Sequence, residues 1–256
     1  MLNRQLARYI QPFLSFFVLI VLWEFIVRKF HISPYKFPGP GQVARGLWDL
    51  ASSGLLINYT IASLYRVTWG YYLAVLTGVP LGLILGVWAR ARAVLNPLIQ
   101  FLRPISPLAW IPLALMWFGI GDPPAIFLIF LSSFFPMVVF TMSGVQDMKV
   151  TYLRVAENFG LKGLDLYLKV LLPGALPGIL VGLRITLGTA WLVIVAAEMI
   201  AVKSGLGYLI VDARNSLRMD QVIGGMIVIG IIGLLLDRLI RTLEELPEAR
   251  WVRVRQ

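Results

Sequence analysis

Residues 154–173 read Arg154-Val155-Ala156-Glu157-Asn158-Phe159-Gly160-Leu161-Lys162-Gly163-Leu164-Asp165-Leu166-Tyr167-Leu168-Lys169-Val170-Leu171-Leu172-Pro173. The composition of this stretch favours helix, but it carries too many charges to cross a bilayer. Five apolar side chains recur at helical spacing and can share one stripe, namely Val155, Phe159, Leu164, Leu168 and Leu171. Because Gly160 permits a sharp turn, the stretch predicts an amphipathic helical hairpin. Its stripe must be buried against the membrane surface, the protein's own spans or a soluble partner.

The sequence on both sides of this hairpin is strongly apolar. Of the 256 residues, 59% are hydrophobic and only 14% are charged, whereas a soluble domain has about 25% charged residues. A soluble enzyme, a disordered chain and a fibre are therefore disfavoured classes, and a single transmembrane domain over residues 1–256 is expected. Apolar windows of about 20 residues predict six helical spans, at about 12–27, 61–88, 95–118, 125–142, 175–202 and 222–239.

The net charge of +10 is explained by membrane orientation. Lys and Arg residues are about twice as numerous in loops that share a side with the termini and with residues 145–173 as in the opposite loops, which predicts that this side is cytoplasmic. Both termini are then expected in the cytoplasm, and no nucleic-acid partner is required.

The chemistry of an enzyme or a metal centre is poorly supported. The sequence has no cysteine and a single histidine, His31, so thiolate sites, a Cys nucleophile and multi-His metal sites are excluded. We therefore expect neither catalytic residues nor a metal site in this chain.

Small residues recur at every fourth position in two of the spans. One series is Gly78, Gly82 and Gly86, and the other is Gly174, Gly178, Gly182, Thr186 and Ala190. Such spacing allows close approach of helix backbones in a membrane. The two series predict helix–helix seams, either within one protomer or between two.

The third span cannot be a regular helix. It contains Arg103-Pro104-Ile105-Ser106-Pro107-Leu108-Ala109-Trp110-Ile111-Pro112, and each proline removes a backbone donor. Irregular backbone at membrane depth is tolerated only against protein or a water-filled cavity. The segment predicts either a stretch of a translocation path or a kink that serves packing. Its candidate path residues are Arg103, Pro104, Ser106, Pro107 and Trp110.

Ionisable residues inside spans are costly and are functional candidates by default. Arg103 and Arg184 are expected near the cytoplasmic side, where they are candidates for an anion path. Glu198 is a further path candidate, although a structural ion pair with Arg66 is favoured for it.

The hairpin resembles a known loop. Its Ala156, Gly160, Leu172 and Pro173 match the spacing of the cytoplasmic Glu-Ala-Ala loop of bacterial ABC importer permeases, in which Gly is followed by nine residues and Ile-x-Leu-Pro. Arg154 and Val155 stand where that family has Glu and Ala. By this resemblance residues 145–173 form the ATPase-coupling loop, with candidate contact residues Arg154, Ala156, Glu157, Gly160, Leu172 and Pro173. Pro173 is also expected to begin the next span, where a missing backbone donor is harmless.

Other segments are similar to the permease subgroup that imports nitrate, bicarbonate, taurine and alkanesulfonates. They are Phe37-Pro38-Gly39-Pro40-Gly41, Trp117-Phe118-Gly119-Ile120-Gly121, and Ala197-Glu198-Met199-Ile200 with Ser204-Gly205-Leu206-Gly207. Residues 104–110 favour the nitrate and bicarbonate branch, whereas residues 117–119 favour the sulfonate branch. The implied substrate is a small anion.

The resemblance implies an all-α type I ABC importer permease in the bacterial inner membrane. No Gly-x4-Gly-Lys-Ser/Thr sequence occurs, so ATP and Mg would be held by separate ATPase subunits. Two permease copies, two ATPase subunits and an extracytoplasmic binding protein are implied partners, and no cofactor is expected on this chain. A transporter driven by an ion gradient through Glu24 or Glu198 is the alternative.

Overall fold

The computed structural model describes residues 2–244. Within that range the side chains of residues 2–13, Glu157 and residues 243–244 lie outside the description, as do Met1 and residues 245–256. The described residues are helical and without strands. Their α-helices are α1 (Leu2–Lys29), α2 (Pro40–Ser52), α3 (Leu55–Val87), α4 (Ala89–Leu102), α5 (Ile111–Phe118), α6 (Asp122–Gln146), α7 (Val150–Asn158), α8 (Gly163–Leu166), α9 (Leu172–Ala201), α10 (Leu206–Asn215) and α11 (Met219–Glu244).

Four stretches of the described residues are long and apolar enough to cross a membrane: α3, α6, the continuous helical run 163–201, and residues 219–242 of α11. A fifth crossing results if α4 and residues 107–118 form one span, although these two segments are bent by 86°. The all-helical membrane fold is thus confirmed. Helix α1 contains the predicted first span but is not among these four or five.

Helix α6 lies at the centre of the fold, between α3 and α9, and glycines set its distance from both. A Cβ added at Gly82 of α3 would lie 2.5 Å from the Cβ of Thr141, and one at Gly178 of α9 would lie 2.7 Å from the Phe140 carbonyl oxygen. Real Cβ atoms do not approach so closely. Both glycine series therefore form seams within this chain.

Alanine at Gly178 and alanine at Gly188 should affect the stability of the protein differently, although both glycines belong to α9. At Gly178 the new Cβ meets backbone atoms of Phe140 and Gly144, whereas at Gly188 it meets nothing within 4 Å. We expect Gly178→Ala to lower the thermal midpoint of the detergent-solubilised protein. Gly188→Ala should leave it unchanged or raise it, since alanine is favoured over glycine by about 1 kcal/mol in a helix. Equal effects of the two variants would contradict the assigned seam.

The connecting segments separate into two ends of the bundle. At one end Arg218, which precedes α11, donates to Asp49 of α2 at 3.1 Å, and the Gly121 amide donates to the Ala201 carbonyl at 3.3 Å. At the other end Val145 and Leu171 share one buried cluster. Segments predicted to lie on the same side of the membrane therefore do lie at the same end, with α2 and α10 opposite α7 and α8.

Candidate functional site

The predicted break in the third span is present. Helix α4 ends at Leu102, a 3-10 turn covers Pro107–Trp110, and α5 follows directly. Arg103, Pro104 and Ser106 are exposed, whereas Pro107 and Trp110 are half-buried. The break therefore brings a guanidinium and a hydroxyl to the surface of an otherwise apolar segment, and both groups can donate to an anion.

The predicted hairpin is also present, with its turn at Gly160. Helix α7 ends before Gly160, whose φ of +71° lies in the left-handed region that favours glycine. The Leu161 amide donates to the Ala156 carbonyl at 3.0 Å, which is the hydrogen bond of a Schellman helix end. The position of the glycine in the motif thus has a structural reason.

Most of the predicted apolar stripe is uncovered. Val155, Phe159, Leu164 and Leu168 are 46%, 79%, 74% and 54% exposed, and only Leu171 is buried. Leu171 instead packs in the cluster that contains Val145 and Ala175. The described residues therefore leave an apolar surface at this end of the bundle, which such a protein usually buries against a partner.

A cleft of about 740 Å³ adjoins this surface. It runs between the end of α6, the α7 helix and the base of α9, and is lined by Tyr152, Val155, Phe159, Lys169 and Pro173 among others. Of the remaining candidate contact residues, Ala156 lies on the buried face of α7, Leu172 is half-buried and Arg154 is exposed. The side chain of Glu157 lies outside the described residues.

Pro173 lies in the first turn of α9, as expected for a proline at a helix start, but helical structure already precedes it. Residues 163–201 form one continuous helical run, with a π-helical turn at Tyr167–Leu171 just before the proline. The Leu172 amide donates to the Tyr167 carbonyl, five residues back. Proline crowds the carbonyl four residues before it, and the wider π turn lets the helix continue through that position.

A buried ion cluster occupies the opposite end of the bundle. Arg66 of α3, with its side chain 3% exposed, donates to the fully buried Glu198 of α9 at 2.6 Å and to Asp122 at the start of α6 at 2.7 Å. Its Nη1 also donates to the Ser204 carbonyl at 2.8 Å. One guanidinium thus joins α3, α6, α9 and the turn before α10.

Glu198 has donors on both carboxylate oxygens. The Ser63 hydroxyl lies 2.8 Å from each oxygen, and the Gly207 amide donates to Oε2 at 2.9 Å. The carboxylate therefore also holds the first turn of α10, whose dipole favours an anion there. A Cβ at Gly205 or Gly207 would collide with the Glu198 side chain. The glycines in Ser204-Gly205-Leu206-Gly207 thus make room for this carboxylate.

The two other path candidates are not assembled with Arg103. Arg184 pairs with Asp237 of α11 at 3.1 Å, and both side chains are 37% exposed. Glu198 belongs to the buried cluster, in agreement with the favoured ion pair. Sequence reasoning missed Ser63, Asp122 and Ser204 as members of that cluster. Only the Asp122 position gave a signal, because it follows a Gly-rich turn and starts an apolar run where a helix is capped.

Comparison with known proteins agrees with this architecture. Residues 78–251 match the family described as binding-protein-dependent transport system inner membrane component. The chain is 38% identical over 232 residues to the taurine transport system permease protein TauC of Escherichia coli, covering 89% of this chain and 84% of that protein. It is also 38% identical over 249 residues to the nitrate import permease protein NrtB of Leptolyngbya laminosa, covering 94% and 88%.

The fold is also found in a solved structure. An inward-facing structure of the MetNI methionine ABC transporter superposes with a TM-score of 0.60 at 19% identity, covering 73% of this chain and 95% of that one. At this identity the likeness concerns the fold alone. Together with the family match over most of the chain, it leads to one assignment: the chain belongs to the binding-protein-dependent transport system inner membrane components and is a permease subunit of the ABC transporter type.

Proposed function

We propose that this permease forms the membrane path of an ATP-driven importer for small anions and that its hairpin docks on a separate ATPase. The observation that carries the coupling role is the exposed apolar surface on α7 and α8, next to a cleft of about 740 Å³. An amphipathic helix that presents its apolar face outward is typical of a helix-in-groove contact. The sequence has no phosphate-binding loop of its own, so ATP and Mg belong to the partner.

The complete transporter contains two ATPase subunits and two permease copies in this proposal. The hairpin end faces the cytoplasm, as the distribution of Lys and Arg indicates, and both termini lie there too. The end formed by α2 and α10 then faces the compartment from which a substrate-binding protein delivers the anion. The location is the inner membrane of a bacterium.

The proposed cargo is an anion of the nitrate or sulfonate type. Relatives with 38% identity are named for taurine and for nitrate, and a sulfonate and a nitrate both present negatively charged oxygens. Arg103 supports this choice, because it is an exposed cation at the break of the bent span. Bicarbonate and alkanesulfonates belong to the same substrate class.

Arg103→Ala should reduce anion-dependent transport without preventing assembly. In reconstituted transporter we expect at least a tenfold lower rate, which corresponds to about 1.4 kcal/mol of lost interaction with the passing anion. Arg103→Lys is the matched control, because it keeps the charge and should retain most of the activity. Taurine, nitrate and an alkanesulfonate are each tested with the cognate binding protein. A normal rate in Arg103→Ala would remove this residue from the path.

Purification of the complex distinguishes this function from transport driven by an ion gradient. We expect the tagged permease, extracted in mild detergent, to bring down an ATPase subunit with a phosphate-binding loop. Transport should stop when ATP is depleted. Recovery of the permease alone, together with transport that survives ATP depletion, would favour the gradient-driven alternative.

A further inference from the structure

Helix α1 stands away from the bundle over much of its length. Its eight apolar side chains between Leu14 and Leu22 are all 48–64% exposed. The helix contacts the rest of the described chain mainly at its C-terminal end, where the rings of Trp23 and Phe37 pack in a tilted arrangement with their centroids 5.6 Å apart. Hydrocarbon is the environment that suits such a helix.

A cleft of about 740 Å³ opens between the last three turns of α1 and the first turn of α2. Its lining changes in polarity along α1. Ile20, Val21 and Phe25 form its apolar region, and Arg28 and Lys29 form a basic region about a helical turn further along. The Lys29 ammonium also lies 5.4 Å from the centroid of the Phe25 ring, so the two regions are continuous.

A second cleft of about 370 Å³ extends the basic region. It shares Glu24, Arg28 and Gly41 with the first cleft and adds Gln42 and Arg45. Arg28 pairs with Glu24 but its side chain remains 80% exposed. The joined lining therefore holds three cations and one carboxylate, which gives it a net positive charge.

Exposed aromatic side chains near the basic region indicate that it lies at the membrane interface. Tyr35 and Phe30 are 70% and 67% exposed at this end, and Trp48 of α2 is 74% exposed. Aromatic residues of this kind are enriched where hydrocarbon meets headgroups. The lining thus passes from hydrocarbon depth to headgroup depth in the same order as a lipid molecule does.

We propose that this cleft binds a phospholipid. The phosphate contacts Arg28, Lys29 and Arg45, and an acyl chain lies along Ile20, Val21 and Phe25. The charge of the lining argues for a phosphate-bearing headgroup, and the exposed apolar face of α1 below it argues for an attached hydrocarbon chain. Inorganic phosphate would match the positive charge of the lining but not its apolar region. A docked apolar helix would match the apolar region but not the charge.

The test measures phospholipid retention by the purified full-length protein. Wild type and the double variant Arg28→Ala/Lys29→Ala are extracted in mild detergent, and bound phosphatidylglycerol is titrated by native mass spectrometry. Since each surface cation contributes about 1 kcal/mol to binding anionic lipid, loss of two should weaken binding about thirty-fold. Arg214→Ala is the matched control, because Arg214 is exposed at the same end but does not line the cleft. Equal retention in the double variant and wild type would overturn the proposal.

Cross-linking and quenching distinguish lipid from a second copy of the chain whose α1 packs on this cleft. The natural sequence has no cysteine, so Val21→Cys places a single thiol in the apolar region of the cleft. We expect this variant to stay monomeric on denaturing gels after oxidation in membranes. Its bimane-labelled form should be quenched by brominated phosphatidylglycerol. Formation of a disulfide-linked dimer, or absence of quenching, would overturn the proposal.

Discussion

Glu198→Ala should strongly destabilise this permease and reduce the yield of folded protein. The substitution leaves Arg66 buried with a charge that Asp122 alone compensates, and it leaves the Gly207 amide and the Ser63 hydroxyl without their acceptor. Removing one partner of a buried ion pair costs about 3–5 kcal/mol. The first turn of α10 also loses the carboxylate that holds it. The measurement is the thermal midpoint and the monodisperse fraction after detergent extraction.

Two further variants identify the physical cause of this loss. In the double variant Arg66→Met/Glu198→Leu the uncompensated guanidinium is absent, so some of the lost stability should return. Glu24→Ala is the matched control, because Glu24 also lies in an apolar helix but pairs with the largely exposed Arg28. Such a surface pair contributes only about 0–1 kcal/mol. Similar midpoints for Glu198→Ala and Glu24→Ala would show that the buried cluster does not stabilise the fold.

Phe159→Ser should weaken association with the ATPase subunit about thirty-fold while the permease still folds. Phe159 is 79% exposed at the rim of the hairpin cleft, so its loss removes no internal packing. Truncation of an aromatic anchor in an interface can cost about 2 kcal/mol, which is about thirty-fold in affinity. The measurements are ATPase recovery on the tagged permease and ATP hydrolysis by the reconstituted complex.

Three control variants test whether docking depends on the place of the phenylalanine and on the conformation of the hairpin turn. Phe30→Ser removes a similarly exposed phenylalanine at the opposite end and should leave ATPase recovery unchanged. Gly160→Pro changes only the turn and should also weaken docking, because proline cannot adopt the φ of +71° found there. Gly160→Asn tolerates that conformation and should retain docking. Normal ATPase recovery by Phe159→Ser would contradict the proposed contact surface.

The sequence predicts most of this architecture because the bilayer imposes simple rules. Long apolar windows identify the central helices, regular glycine spacing identifies the seams, and three prolines identify the break after Leu102. Each of these signals is local. The apolar stripe of the hairpin was predicted for the same reason, but not that four of its five side chains are exposed while Leu171 is buried, because tertiary packing decides which face of the helix is covered.

Partners that are distant in sequence were harder to predict. Arg66 lies 56 residues from Asp122 and 132 from Glu198, and helical spacing shows which face a residue occupies but not what it meets. The pairing with Glu198 was favoured because intramembrane charges need partners, whereas Asp122 was assigned to no partner. The position of Pro173 in the first turn of α9 was predicted, but the helical turns that join α9 to the hairpin were not. Proline usually marks a helix start, and a π turn leaves no clear signature in one sequence.

The uninterrupted run from Gly163 to Ala201 has a mechanical consequence. Its 39 residues span about 58 Å at the usual helical rise, so one helical run begins beside the exposed hairpin surface and ends at the turn that Arg66 and Glu198 secure. A tilt of about 5° around its midpoint displaces each tip by about 2.5 Å, and in opposite directions. The hairpin and the buried ion cluster are thus joined by one helical run, so a displacement at either end can reach the other through continuous helix, with the π turn at Tyr167–Leu171 and Pro177 as the points where the run could bend.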